Sequence, residues 1–565
     1  MKSAKSLLRS RTRVGTPDPL GAALSLHREA ERRGMPAAEL AGVFAANTER
    51  RREREGNDEA SRTGLGRRRF LGAAGLTAAA AALPGTVLSS AHAAGATAPR
   101  VVVVGAGLAG LRCAHQLWTG PRRIASTVYE ADTTHVGGRC WTLRDYFSDG
   151  MVSEHGGSFV STEDVELLAL AQRFGIEKER HQGGALDTGE YYAWVNNKKY
   201  LGYPADLAEF MPQISKDFAA MGRPRWNDST PTARRLDRMS YLEYMDSIGL
   251  DPRSSIGQMM QTRQLESGGE AYEVSALELV GFYGSGGDGA GAPAAATAAA
   301  DEGGFDELYH LKGGNDQVVS GMVRELPSGA VKQGYELVAL RRNGNGSYTL
   351  TFNHFGRLVD VQADHVVLAL PFSTLRFVDL SGSGLSPLKR RAIAEQGMGA
   401  HAKLALELDH KTWPAAGSNG ITNTGPGGYQ TAWDGSVERG PDGAPALLVN
   451  FPGGDTARTR YTGQAHGPAP SADVRWFLNQ IENLLPGTRA AYTGRAWEDQ
   501  WTIDPWHYGA YHFYKIGQTT TFGGYEGTQE GRIHFAGEHT NGYGATLNAA
   551  VQSGERAAGE VAKQV

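Results

Sequence analysis

Residues 100–117 read RVVVVGAGLAGLRCAHQL, and the fold turns on them. Val101 to Val104 make a short, continuously apolar run, the pattern of a parallel strand covered on both faces. Gly105, Gly107 and Gly110 follow at the G-x-G-x-x-G spacing, and Leu108, Leu111, Ala114 and Leu117 then recur at helical intervals. The first glycine permits the sharp turn, the second lets backbone approach a pyrophosphate, and the third lets helix pack closely on strand. Unpaired N–H groups in the first helical turn favour the phosphate charge. Twenty residues past Gly110 the segment Ser126-Thr127-Val128-Tyr129-Glu130-Ala131 reads as a second strand ending in an acid. Glu130, with Ala131 beside it, is placed to accept hydrogen bonds from both hydroxyls of an adenosine ribose. Strand, turn, helix and acid together predict an α/β, doubly wound dinucleotide-binding domain. Cys113, within the helix, reads as a small packing residue.

Working downstream, Val136-Gly137-Gly138-Arg139 follows within ten residues of the acid. A plain nicotinamide domain does not need it. In large FAD oxidoreductases a Gly-Gly-Arg here turns backbone N–H groups and a guanidinium toward phosphate and flavin. Glu154-His155-Gly156-Gly157-Ser158-Phe159-Val160 is glycine-rich again, so backbone at Gly157 and Ser158 can run past a flat ring.

Further motifs follow in order: Leu311-Lys312-Gly313-Gly314-Asn315-Asp316-Gln317, a strand around Val338, the run from Asp364 to Pro371, and Ile533 to Thr540 leading to Ala545-Thr546-Leu547-Asn548 and Gly554. From about Arg100 to the C terminus the chain resembles the flavin-dependent amine oxidase family, which includes monoamine, polyamine and L-amino-acid oxidases. The resemblance implies FAD and two interleaved domains, a Rossmann-like FAD-binding domain and an α+β substrate-binding domain. Residues 94–165, 306–400 and 511–565 would form the first, with 166–305 as a helical and 401–510 as a sheet segment of the second. It also implies that the backbone of Val338 meets adenine and that Gly537, Glu538, Thr546 and Leu547 belong to the closing FAD signature. An acid such as Glu538 in an apolar strand–glycine context needs a partner, and ligand hydroxyls are the expected one. A helix starting near Thr546 offers its positive end to the electron-rich edge of a flavin. His539 reads as a core histidine.

Three positions carry expectations about chemistry. Lys403 lies in an apolar strand pattern, where burial is costly without partners; the matching lysine of the family holds a water against the flavin and assists reaction with O2. Tyr511 matches an aromatic wall of a cage that orients an amine. The opposite wall falls on Thr546, where monoamine oxidases carry a tyrosine, so the cage is half open. Ala510 stands where those enzymes have a cysteine bonded to FAD, which implies non-covalent FAD. L-amino-acid oxidases resembling this chain place an arginine where Phe159 stands, and several polyamine oxidases an acid or histidine at Ser161. The expected activity is oxidation of an amine C–N bond to the imine, with O2 reduced to hydrogen peroxide. The alternatives are an L-amino-acid oxidase, a tailoring oxidase acting on a large metabolite, and a flavin-binding protein without turnover. The stretch from Glu163 to Phe305 contains a hairpin pattern at Tyr191–Tyr200, several helical patterns, and a Gly/Ala-rich loop from Gly284 to Gly304.

The chain has 565 residues, 57 Lys+Arg against 61 Asp+Glu, 40% hydrophobic residues, 75 Gly and 2 Cys. Such a chain buries a full core without staples, and two cysteines exclude a disulfide scaffold or Cys-rich zinc module; no metal site is expected. A net charge of −4 makes no case for nucleic-acid binding. The charge is uneven, with 16 Lys+Arg against 9 Asp+Glu in residues 1–69 and 41 against 52 in the remainder. Residues 1–66 read as a solvated basic extension with a helical pattern from Leu20 to Ala46. Arg67-Arg68-Arg69-Phe70-Leu71 opens a weakly apolar Ala/Gly-rich stretch ending at Ala91-His92-Ala93, which looks like a twin-arginine signal over 67–93, cleaved near Ala93-Ala94. That route carries folded, cofactor-loaded proteins, so the expectation is a secreted enzyme with the export machinery as a partner, without stable membrane insertion. A homo-oligomer stays possible.

Overall fold

The structure, a computed structural model, describes residues 99–180, 189–202, 206–285, 307–436, 444–542 and 544–565. The basic extension, the arginine-led signal with its cleavage junction, and the Gly/Ala-rich run beyond Ser285 lie outside the described residues.

Strand β1 (Val101–Val104) is buried throughout. The turn at Gly105, with φ of +99°, leads into α1 (Leu108–Thr119), whose Leu108, Leu111, Ala114 and Leu117 are buried. Strand β2 (Ser126–Tyr129) runs parallel to β1, Val101 opposite Ser126. The chain then leaves for a hairpin of β3 (Glu190–Val195) and β4 (Lys198–Leu201). Asn196 and Asn197 turn it at φ of +52° and +58°, a left-handed pair that asparagine tolerates. Helices follow, among them α2 (Ser255–Leu265) and α3 (Ala276–Gly284). The chain returns through α4 (Gln317–Glu325) and β5 (Val331–Lys332). A meander of β6 (Tyr335–Arg342), β7 (Tyr348–His354) and β8 (Arg357–Ala363) comes next, then β9 (His365–Leu368). It leaves again for β10 (Ala402–Leu408), β11 (Ser418–Thr424), β12 (Thr431–Asp434), β13 (Ala446–Phe451), β14 (His466–Pro468) and β15 (Tyr492–Gln500). It closes with β16 (Ile533–Phe535) and α5 (Leu547–Gln564).

The five-stranded sheet has the order β16-β9-β1-β2-β5, and the eight-stranded sheet β14-β15-β10-β13-β12-β11-β3-β4. The first unites strands from three separated stretches of chain, the second strands from two. This is the Rossmann-like sheet interleaved with an α+β part. Alternation along β1 splits its burial: Val101 and Val103 pack with α1 and α5, while Val102 and Val104 pack with Leu350 and Phe352 of the meander. Gly554 of α5 lies so close to α1 that a Cβ there would stand 2.4 Å from Ala109 O. Strand β10 is buried at every position; Leu404, Leu406 and Leu408 share one core with Phe477 and Ile481, whereas Ala405 belongs to another with Trp433 and Val449. Lys403 is on the Ala405 side. Among the described residues no helix is long and apolar enough to cross a membrane.

Candidate active site

A cavity of about 660 Å³ runs from the tip of β1 to the eight-stranded sheet, within the range of ligand and cofactor sites. At the β1 end, Gly107 is the N-cap of α1 and no side chain caps it. A Cβ on Gly107 would meet nothing nearer than Gly138 Cα at 3.9 Å, so this glycine keeps open a space the chain does not fill. Gly110 differs. A Cβ there would stand 2.0 Å from Gly105 O, so it serves helix–strand packing and does not line the cavity. Glu130 lines the cavity; its Oε2 accepts from Ala106 N at 2.6 Å and its Oε1 from Asp132 N at 2.9 Å. Burial pushes this carboxyl up and those two N–H groups hold it down. Each oxygen keeps a second lone pair for a ribose hydroxyl. An uncapped helix start, an open glycine cradle and an acid at the end of β2 fit the adenosine diphosphate half of FAD.

Gly105, Gly138, Arg139, Gly157, Ser158 and Gly537 also line this cavity, as do Lys403, Tyr511, Thr546 and Leu547. Ala131 and Val338 are not among its lining residues. Val338 sits at an irregularity of β6, and its carbonyl accepts Asp379 N–H at 2.9 Å. Glu538, expected to meet ligand hydroxyls, also lines the cavity, and its carboxylate accepts from Arg139 Nη1 at 2.6 Å and His512 Nδ1 at 2.6 Å. Burial opposes its charge, but Arg139 and His512 outweigh this and hold the carboxyl far below its ordinary range. The Arg139 guanidinium also donates to Ala510 O, so Glu538 fixes the guanidinium. His539 is buried against Phe372, ring centroids 4.5 Å apart, and does not line the cavity.

Lys403 is 4% exposed. Its Nζ donates to Glu154 O at 2.8 Å, Gly156 O at 2.6 Å and Ser158 Oγ at 2.8 Å. Burial pushes the ammonium down to about 8, against the pull of Asp499 and Glu154. The Tyr511 hydroxyl donates to Glu266 O and its ring lies 4.8 Å from that of His401. Thr546 is the N-cap of α5, its Oγ1 accepting from Ala549 N at 3.1 Å. Phe159 packs on Trp433 with centroids 5.3 Å apart.

The helical segment contributes residues that the sequence did not mark. Arg263 and Glu266, at the end of α2, form an ion pair, and the guanidinium lies over Phe282 at 4.4 Å. Glu278 of α3 lines the cavity, and among the described residues no hydrogen bond or ion pair takes up its carboxylate. Burial pushes that carboxyl up to about 7, against the pull of His512. The signal was absent because α2 buries Ile256, Met259, Thr262 and Gln264 at once; no apolar stripe distinguishes its cavity side.

Cys113 and Cys140 are both free and buried. Burial pushes the Cys113 thiol up to about 12 and that of Cys140 well above its usual value, so neither offers a thiolate.

The fold and cavity define a dinucleotide-dependent oxidoreductase with interleaved cofactor and substrate parts. The sequence model for flavin containing amine oxidoreductases matches residues 108–562, and the chain belongs to that family; its cofactor is FAD, held non-covalently. It is 23% identical over 485 residues to the putative L-amino-acid oxidase YobN of Bacillus subtilis (strain 168), covering 82% of this chain and 94% of that protein. It is 26% identical over 487 residues to the putrescine oxidase of Kocuria rosea, covering 82% and 94%. Its structure is similar to that of cyclohexylamine oxidase from Brevibacterium oxydans IH-35A, with a TM-score of 0.69 at 19% identity, covering 82% of this chain and 99% of that one.

Proposed function

We propose that this protein is an FAD-dependent oxidase of amines, converting a C–N bond to the imine, which water then hydrolyses to a carbonyl compound and ammonia or a smaller amine. The observation that carries this reading is the charge inventory of the cavity. Arg139, Arg263 and Lys403 are each taken up by acceptors of the chain, while the Glu278 carboxylate has no such partner among the described residues. That wall attracts a cation and leaves a substrate carboxylate without a ready partner. Phe159 stands where the resembling amino-acid oxidases carry an arginine. The relatives that act on putrescine and cyclohexylamine support an amine donor.

The chemistry FAD supplies is acceptance of a hydride equivalent from the carbon next to nitrogen and its delivery to O2 as hydrogen peroxide. The chain does the rest. Tyr511, with its hydroxyl tied to Glu266 O, presents a fixed ring to the amine. Lys403 places a cation beside the Gly156-Gly157-Ser158 turn. The α5 N-terminus, organised by Thr546, stabilises negative charge developing at its end of the cavity.

The test is to mix FAD-loaded enzyme anaerobically with panels of amines, polyamines and L-amino acids. Bleaching of the flavin by amines, with peroxide appearing on admission of air, is expected; bleaching confined to L-amino acids overturns the reading. The L-amino-acid alternative is favoured by one feature, Arg263 at the cavity wall, since a substrate carboxylate would compete with Glu266 for it. Export through the twin-arginine route is part of the proposal and rests on residues 67–93. Replacing Arg67, Arg68 and Arg69 by lysine should retain the precursor inside the cell, and unchanged secretion would refute it.

A further inference from the structure

Behind Lys403 two aspartates and three histidines form a buried network. His466 lies between two carboxylates, Nδ1 at 2.7 Å from Asp499 Oδ1 and Nε2 at 2.9 Å from Asp504 Oδ2. An ionised carboxylate only accepts, so both nitrogens of His466 carry protons and the ring is a cation. Burial opposes that charge, but Asp499 and Asp504 outweigh it and lift the ring to about 9. Burial likewise opposes the charge on the two carboxyls, and their histidine partners nevertheless hold both below their ordinary range. Asp499 Oδ1 also accepts from His155 Nδ1 at 2.7 Å and from the Trp497 indole at 3.2 Å. Asp504 stands 3.0 Å from His507 Nδ1. Trp141 packs on His155 with centroids 3.9 Å apart, and Trp501 meets His466 edge-on at 5.0 Å. His155, His507 and Trp501 line the cavity, while His466, Asp499 and Asp504 stand behind them.

The network reaches Lys403 twice. Strands β10 and β15 pair Lys403 with Asp499. The two carbonyls that hold Nζ belong to Glu154 and Gly156, the residues on either side of His155. Asp499 holds the His155 ring, and the Trp501 indole donates to the His155 carbonyl at 2.9 Å. A tilt of His155 therefore displaces both carbonyls at once.

We propose that His466 is a positioning residue for Lys403: the Asp499–His466–Asp504 triad anchors His155, and through it the carbonyl cradle that places the ammonium and sets its charge. The proposal rests on the oxidase reading of the cavity. The charged and titratable groups that face Lys403 are Glu154 and His155 from the glycine-rich segment, Asp499 from β15, and His401 beside the strand, which burial keeps neutral. Those facing His466 are Asp499, Asp504 and the His155 ring at 5.8 Å.

The first experiment follows the absorption band of oxidised FAD in the loaded enzyme against pH. One transition is expected near the lysine value of about 8, and it should be absent in Lys403→Met. His466→Asn removes a cation from between two carboxylates, so the ammonium is favoured and the midpoint rises by about one pH unit or more, roughly tenfold in proton affinity. Asp504→Asn keeps one oxygen, for His466, gives up the other, which accepts Trp506 N–H, and removes a negative charge, so the midpoint falls. An unmoved midpoint in His466→Asn, or shifts of the same sign in both variants, overturns the proposal. The second experiment is rapid mixing of reduced enzyme with O2. His466→Asn should slow reoxidation about tenfold alone and less than about twofold in a Lys403→Met background, since the two act as one unit; equal slowing in both overturns it. If Lys403→Met itself reoxidises at the normal rate, the oxygen role of Lys403 fails, while the spectral titration still decides on the triad.

Discussion

Lys403 makes a prediction about stability that needs no substrate. The residue is 4% exposed, and burial drops its pKa from the ordinary 10.5 to about 8. Between those values the unfolded chain holds a proton that the folded chain has released, so raising the pH favours the fold. Below about 8 the cost of burying the charge is in full force; above 10.5 it is gone. At about 1.4 kcal/mol per pH unit the whole span is worth about 3 kcal/mol. Lys403→Met abolishes this pH dependence, whatever it does at one pH. Its loss strands Glu154 O, Gly156 O and Ser158 Oγ without their donor, at about 1–3 kcal/mol for each group left buried, yet that cost does not titrate. The assay is urea unfolding of both apoproteins at about pH 7 and about pH 10. The stability of the wild type relative to the variant should rise by about 2–3 kcal/mol between the two. A constant difference would mean that Lys403 titrates normally, and the buried-ammonium argument would fall.

Gly110→Ala should yield protein that purifies without flavin colour, because its Cβ would stand 2.0 Å from Gly105 O and spread β1 from α1; retention of a full complement of FAD would refute the packing role. For a diamine, KM should fall as pH rises through about 7, where the Glu278 carboxyl ionises, and Glu278→Gln should lose that limb; identical profiles would exclude Glu278 from recognition. Phe159→Arg sets a guanidinium beside Trp433 on the cavity wall and should raise kcat/KM for L-amino acids relative to amines by about tenfold or more; an unchanged ratio would place the substrate carboxylate elsewhere.

The cofactor half was legible because its residues are bound by local rules. Four valines on a doubly covered strand, a glycine at φ of +99° and a glycine with no room for a Cβ leave the sequence few alternatives. The hairpin at Tyr191–Tyr200 was legible for the same reason, through its Asn-Asn turn. The partners of charged groups were not. Nothing near Glu538 in the sequence signals the approach of Arg139, nearly 400 positions away, or of His512. Lys403 was expected in an apolar strand, but nothing in the sequence showed that carbonyls on both sides of His155 would hold it. The cavity side of α2 was illegible because that helix is covered nearly all round.

The contact between α1 and α5 bears on when the enzyme can come into being. Arg112 bonds Glu555 at 2.9 Å across 443 positions, and β16 pairs with β9 in the same sheet as β1. The wall of the nucleotide cleft that opens the described chain is thus completed by its last thirty or so residues. Pairings this distant in sequence form late in folding. A ribosome-bound chain lacking α5 has a glycine turn but no closed cleft, so cofactor capture is an event that follows release, and a message truncated near its end should give apoprotein destined for proteolysis rather than a partly active enzyme.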